Sequence, residues 1–231
     1  MTISGSAAKS GIYLIPLVSF SAFLFVKILD PAGYYLIVQE DGLLENAQAV
    51  FYFLSSIISG VAAWNFFKQE KFVSAATCIA IAGLLGFIGF EEISWFQRVL
   101  SIKSPEFFLE HNKQDEITLH NLKPVQKVLH IIYILVCGFC SFSFLFKKHI
   151  LSKLSGKIAE SVELLIPEKF VSSFFYPGFT VYLFYEFVVS PSDWSFLIWR
   201  DQEPVELLIS TGFTIVTLVN WRRSCIRINH N

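Results

Sequence analysis

Six apolar stretches, near 11–29, 43–67, 72–93, 128–146, 171–189 and 205–221, carry few charges. Each is about as long as the roughly 17–25 residues a helix needs to cross a hydrocarbon core. Backbone N–H and C=O groups in lipid must be satisfied within the chain, so only helices or a closed barrel can cross. No stretch alternates apolar and polar residues as a barrel strand does. The expectation is therefore all-α: a polytopic membrane helical bundle of about six transmembrane helices, forming a single integral membrane domain over 1–231. Charge content agrees, since 16% of residues are charged against about 25% in soluble domains. The first apolar stretch has no A-x-A-like end and reads as a retained span.

Lys and Arg set the orientation. With the N-terminus inside, 11 of the 18 basic residues fall on the cytoplasmic side, which places both termini in the cytoplasm. The loop 94–127 then lies outside and the loop 147–170 inside. Within 147–170, IAESVELLI has helical apolar periodicity and suits a surface helix. The third span is expected to continue as an interfacial helix through Leu100, with Trp95 at headgroup level. Ser104-Pro105-Glu106 reads as a new helix start. A net charge of −1 gives no reason to expect nucleic acid.

Two outer turns align without gaps, Tyr35–Glu45 on Phe196–Glu206, as a parallel repeat would. The alignment makes Glu40 equivalent to Asp201, and Glu45 to Glu206.

The polar residues near the outer face are less easily explained. The helix dipole accommodates most of the acids that begin spans two and six, but Glu45 and Glu206 lie deepest and fit that account least. Glu91 and Glu92 end span three, where the dipole opposes it, and they point about 100° apart on a helix. Arg98, two turns beyond Glu91 on the same face, would pair with one of them; the other needs a second cation, a metal or a polar cavity. Glu186 poses the same question in span five. The loop EHNKQDEITLHNL adds His111 and His120, each followed by Asn. Histidine with carboxylate is what a zinc site or an acid–base pair requires, although no H-E-x-x-H or H-x-x-x-H spacing occurs. His130, inside span four, is either a core histidine or a further member of the set. Cys137 and Cys140 form a C-x-x-C within an apolar helix, which reads as small core residues rather than a redox pair.

These residues carry a resemblance. EEISWFQR at 91–98, SPEF at 104–107, HN at 111–112 and LHNL at 119–122, with the acidic EDGLLE at 40–45, resemble the signature of a family of uncharacterised multi-pass bacterial membrane proteins. The likeness spans about 80 residues of the first two thirds and implies a bacterial inner (plasma) membrane. Glu40, Asp41, Glu45 and Asn46 are also similar to the acidic cluster of alkaline ceramidase-like membrane hydrolases. The late H-x-x-x-H of those enzymes is absent, and six spans are counted instead of seven.

The functional expectation is a polar Glu/His/Arg site at the non-cytoplasmic face, serving a metal-dependent hydrolase or transferase that acts on a lipid or lipid-linked substrate. Glu91, Glu92, Arg98 and His120 are the candidate catalytic residues. Trp95, Gln97, Asn121, Glu45 and Glu206 are candidates for substrate binding, and Glu92, His111 and His120 for a divalent metal such as zinc. Membrane lipids are the expected partners. The alternative is a transporter or channel component, or an envelope assembly scaffold, using the same carboxylates to bind cations or protons.

Overall fold

A computed structural model describes residues 6–40, 42–97, 99–189 and 194–226. The chain is all-helical, and five helices are long and apolar enough to cross a membrane. α1 (Ser6–Leu29) ends at Asp30-Pro31, which also starts α2 (Pro31–Val38). Proline takes the first turn of α2, and the Asp30 carboxylate accepts from Gly33 N at 2.9 Å. Gly42 then turns the chain into α3 (Leu43–Lys68). A Cβ on Gly42 would lie 2.5 Å from the Gln39 carbonyl oxygen, so only glycine fits that turn.

α3 and α4 (Phe72–Glu92) form an antiparallel hairpin closed by a turn in which Glu70 is left-handed (φ 59°). Small residues let the two helices approach. Ser56 Oγ donates to Ala82 O and Ser59 Oγ to Cys78 O, both at 2.8 Å. α10 (Glu203–Ile226) runs parallel to α3 on its other side. Gln48 bonds Glu203 near their starts, Ser55 lies 2.9 Å from Thr214 midway, and Asn65 donates to Ser224 near their ends. The proposed repeat paired these same two helix starts, and they are neighbours running in the same sense. Their approaches differ, however, since α2 is helical whereas the segment before α10 closes with one 3₁₀ turn, Trp199–Gln202.

α6 (Lys123–Ser152) packs chiefly on α9 (Tyr176–Phe187). Between them come α7 (Gly156–Leu165), the helix expected from IAESVELLI, and the single turn α8 (Lys169–Ser172). A single long helix over 171–189 is not what forms: the chain breaks between Ser172 and Tyr176. The 12-residue α9 is about 18 Å long, short of a ~30 Å core by itself. The break is held by packing, because Phe174 and Phe175 turn inward with Val171 against Cys137, Tyr182 and Ile209. α8 and α9 together still connect the two ends of the bundle. Glu168, just before α8, pairs with Arg223 near the end of α10, and Tyr185 reaches Asp201 just before α10 starts.

Cys137 and Cys140 are free thiols buried in that core, as expected of small packing residues. The outward faces of the long helices remain apolar, with Leu17, Phe25, Ile57, Ile79 and Leu135 among the exposed side chains. An aqueous surface does not tolerate that much contiguous apolar area, whereas lipid does.

Candidate functional site

α4 stops at Glu92 and does not run on to Leu100. Ser94, Trp95 and Phe96 are successively left-handed (φ 48°, 53° and 60°), a conformation that costs each non-glycine residue about 1–2 kcal/mol. Side-chain bonds hold it. Ser94 Oγ donates to Glu116 at 2.5 Å, Trp95 Nε1 donates to Glu91 at 2.7 Å, and the Trp95 ring stacks on Phe90. Gln97 is buried, accepting from Ile117 N and donating to Ser104 Oγ. Ser104 therefore serves the loop and does not cap α5 (Glu106–His111), whose N-cap is Pro105. Arg98 and Asp41 lie outside the described residues.

The rest of the loop folds around Asn112, whose amide donates to Glu116 O and to Thr118 O and Oγ1. Asn112 and Leu122 pair as an isolated antiparallel bridge, which returns the chain to the head of α6. His111 stays outside this arrangement, exposed and stacked on Phe107. The return delivers Leu119 and His120 to Glu91. One Glu91 oxygen accepts Leu119 N at 2.7 Å and His120 N at 2.9 Å, with His120 Nδ1 at 3.2 Å.

The adjacent carboxylates thus part company. Glu91 is buried and fully used in holding the loop. Glu92 turns the other way, forms no hydrogen bond among the described residues, and lines a cavity of about 1250 Å³. Glu45, Glu203 and Glu206 line the same space, and their charges act on Glu92, as does that of Glu91. Glu45 comes from α3, Glu92 from α4, and Glu203 and Glu206 from successive turns of α10; three helix ends therefore meet here. Glu206, Glu203 and Glu40 are restrained by donors. The Tyr182 hydroxyl donates to Glu206, Gln48 Nε2 donates to Glu203 at 3.0 Å, and Arg200 bridges Glu203 and Glu40.

Across the cavity, His130 Nδ1 lies 3.2 Å from Glu186, and its Nε2 lies 3.2 Å from the Gln202 amide nitrogen. That amide can only donate, so Nε2 accepts and Nδ1 carries the proton. His130 is thereby a fixed strut between α6, α9 and the turn before α10. Asp201 anchors the same turn, accepting from Lys27, Tyr34 and Tyr185. It sits away from the cavity, so its partners differ from those of Glu40 despite their aligned positions in sequence.

Of the residues singled out in sequence, Glu45, Glu91, Glu92, His120, Asn121 and Glu206 come together on the cavity wall. Trp95 and Gln97, expected to bind substrate, are instead engaged in folding the loop and do not line the cavity. Among the described residues no three His, Cys, Asp or Glu side chains are arranged to hold a metal ion, and the expected set of Glu92, His111 and His120 does not assemble. Sequence reasoning passed over Arg200, Gln126 and Tyr133 on the wall, and Gln48 behind it. Helical spacing offered a signal for Gln48, which lies one turn after Glu45. No family model matches the chain, and neither a curated protein nor a solved structure does.

Proposed function

We propose that this is a multi-pass membrane enzyme, a hydrolase or transferase acting on a lipid or lipid-linked substrate in a cavity at the outer face. The observation that carries the reading is the Glu91–His120 pair on the wall of a large cavity lined by further carboxylates. A carboxylate on Nδ1 fixes the imidazole tautomer and leaves Nε2 to accept a proton. His120 Nε2 takes the proton from water or an acceptor hydroxyl as its oxygen attacks the substrate. The Glu92 carboxyl, which has no hydrogen-bond partner among the described residues, supplies a proton to the leaving group. Of the acid–base and metal-ligand roles expected of these residues, the acid–base roles are kept, because among the described residues Glu92, His111 and His120 form no ligand set.

The chain crosses a bacterial inner membrane six times in this reading, with α8 and α9 making one crossing and both termini in the cytoplasm. The bias of Lys and Arg supports that orientation. A carrier or channel component has less support. Beneath the cavity, Phe174, Phe175, Tyr182 and Ile209 pack into a core that leaves the carboxylates at one end of the bundle.

The test is turnover of membrane lipid extracts by purified protein in proteoliposomes, with His120→Gln and Glu92→Gln beside wild type. Product release lost in both variants, with unchanged size-exclusion profiles, supports the reading. Wild-type turnover retained in both variants overturns it.

A further inference from the structure

Residues 94–122 are sorted the wrong way round for a loop in water. Among their described side chains, Ser94, Gln97, Asn112, Glu116, Thr118 and Asn121 are each less than a tenth exposed, and Leu122 is the one apolar side chain buried with them. The large apolar residues of 95–102 face out instead. Trp95 is 41% exposed, Phe96 44%, Val99 79%, Leu100 64% and Ile102 47%. Single apolar residues are ordinary on any surface, but a run of them beside a buried polar set is a patch that needs an apolar cover.

The position of the patch names that cover. The left-handed residues Ser94, Trp95 and Phe96 turn the chain back along α4 and not away from it. The Trp95 ring stacks on Phe90 at 5.1 Å and meets Phe87 edge-on at 5.7 Å between centroids. Phe87 lies about 7.5 Å below the end of α4 at Glu92, taking 1.5 Å per residue. It is itself exposed, on a helix long and apolar enough to cross a membrane. Trp95 therefore continues the lipid-facing wall of α4. Leu100 N then bonds Phe96 O and Ile102 N bonds Gln97 O, both at 2.9 Å, which puts Val99 and Leu100 at the tip of a compact turn. Gln97 pins the base of that turn from inside, through Ile117 N and Ser104 Oγ. Lys103 follows, exposed, with a stem long enough to carry its charge past apolar surface to water.

We infer that 95–102 is an interfacial wedge, seated in the lipid leaflet at the cavity end of the bundle. Trp95 lies at the boundary between headgroups and acyl chains, where indole rings concentrate. Val99, Leu100 and Ile102 enter the acyl region. Through Gln97 this lipid seat holds the loop that brings His120 to Glu91, whatever reaction the cavity serves.

The test reads depth in phosphatidylcholine proteoliposomes of the full chain. Nitroxides are attached at Val99→Cys and, separately, at Ile102→Cys, on a Cys225→Ser background whose remaining thiols are buried. Leu135→Cys on the exposed face of α6 marks hydrocarbon, and Asp115→Cys in the exposed polar part of the loop marks water. Collision with oxygen, which concentrates in hydrocarbon, is compared with collision with a water-soluble nickel chelate. Both wedge sites are expected to show an oxygen-to-nickel ratio several-fold above that at Asp115 and nearer to that at Leu135. A ratio equal to that at Asp115, at both sites in variants that elute as wild type, overturns the inference. Spin–spin broadening that disappears on dilution with unlabelled chain means that a second copy covers the segment, and overturns it as well.

Discussion

His120 Nδ1 and Glu91 Oε2 are 3.2 Å apart, and the same oxygen accepts the backbone N–H groups of Leu119 and His120. One carboxylate at the end of α4 thus positions a histidine and also closes a loop 29 residues long. The two jobs separate by mutation. Glu91→Ala strands several donors and is expected to destabilise the protein by about 2–4 kcal/mol, taking the cost of unmet buried hydrogen bonds. His120→Ala removes the ring but leaves the backbone donors, and is expected to cost about 1 kcal/mol while abolishing turnover. Denaturant unfolding and lipid turnover, measured on both variants, check the contrast. Equal destabilisation by the two would refute it.

The two His-Asn pairs also divide by role. Asn112 is buried and its amide makes three bonds within the loop, so Asn112→Ala is expected to cost about 2–3 kcal/mol and to expose 94–122 to limited proteolysis. His111→Ala, on an exposed ring, is expected to change stability by less than about 0.5 kcal/mol. Comparable protease sensitivity in the two variants would contradict the assignment.

Packing of α10 against the broken helix predicts opposite effects for two glycines. A Cβ on Gly212 would sit 2.8 Å from the Phe175 ring and 3.1 Å from Phe174 Cβ. Gly212→Ala is therefore expected to destabilise by about 1–2 kcal/mol through overpacking. Gly83 has nothing within 4 Å in an exposed helix interior, so Gly83→Ala is expected to stabilise by up to about 1 kcal/mol. Thermal midpoints of the two variants should move in opposite directions.

At the other end of the bundle, burial works to raise the Glu163 carboxyl, but the hydrogen bond from Lys147 and the charges of Lys147 and Arg223 outweigh it. Its pKa is held below the ordinary value of 4.5. A carboxylate lowered in the folded state binds fewer protons than in the unfolded state, so its stabilisation is complete above the ordinary value. That stabilisation is lost as pH falls through the lowered value. Lys147→Met is expected to shrink the loss of thermal stability in this acid window and to leave the neutral-pH slope unchanged. An identical acid profile in the variant would refute the linkage.

Much of the bundle was legible in the chain because lipid imposes a local rule: a crossing helix must be long and apolar along its own length, which a single sequence displays. Five long helices, the amphipathic α7 and the buried Cys137 and Cys140 followed from that rule. The stretch 171–189 misled because Phe174 and Phe175 are as apolar as any lipid-facing residue. Only contact with Cys137 and Ile209 turns them inward and breaks the helix.

By itself the sequence also determined that charge gathers at one end of the bundle, since Glu45, Glu91, Glu92 and Glu206 fall at the ends of apolar runs on one side and His120 in the polar loop between two of them. Only the tertiary structure decided which of them meet and what each does. A helix end gives a side chain's depth but not its neighbours. Neighbours depend on how α3, α4, α6 and α10 cross, and on a left-handed turn that no propensity favours. That turn sends Trp95 and Gln97 into the loop, leaves His111 outside, and separates Glu91 as an anchor from Glu92 as a cavity carboxylate.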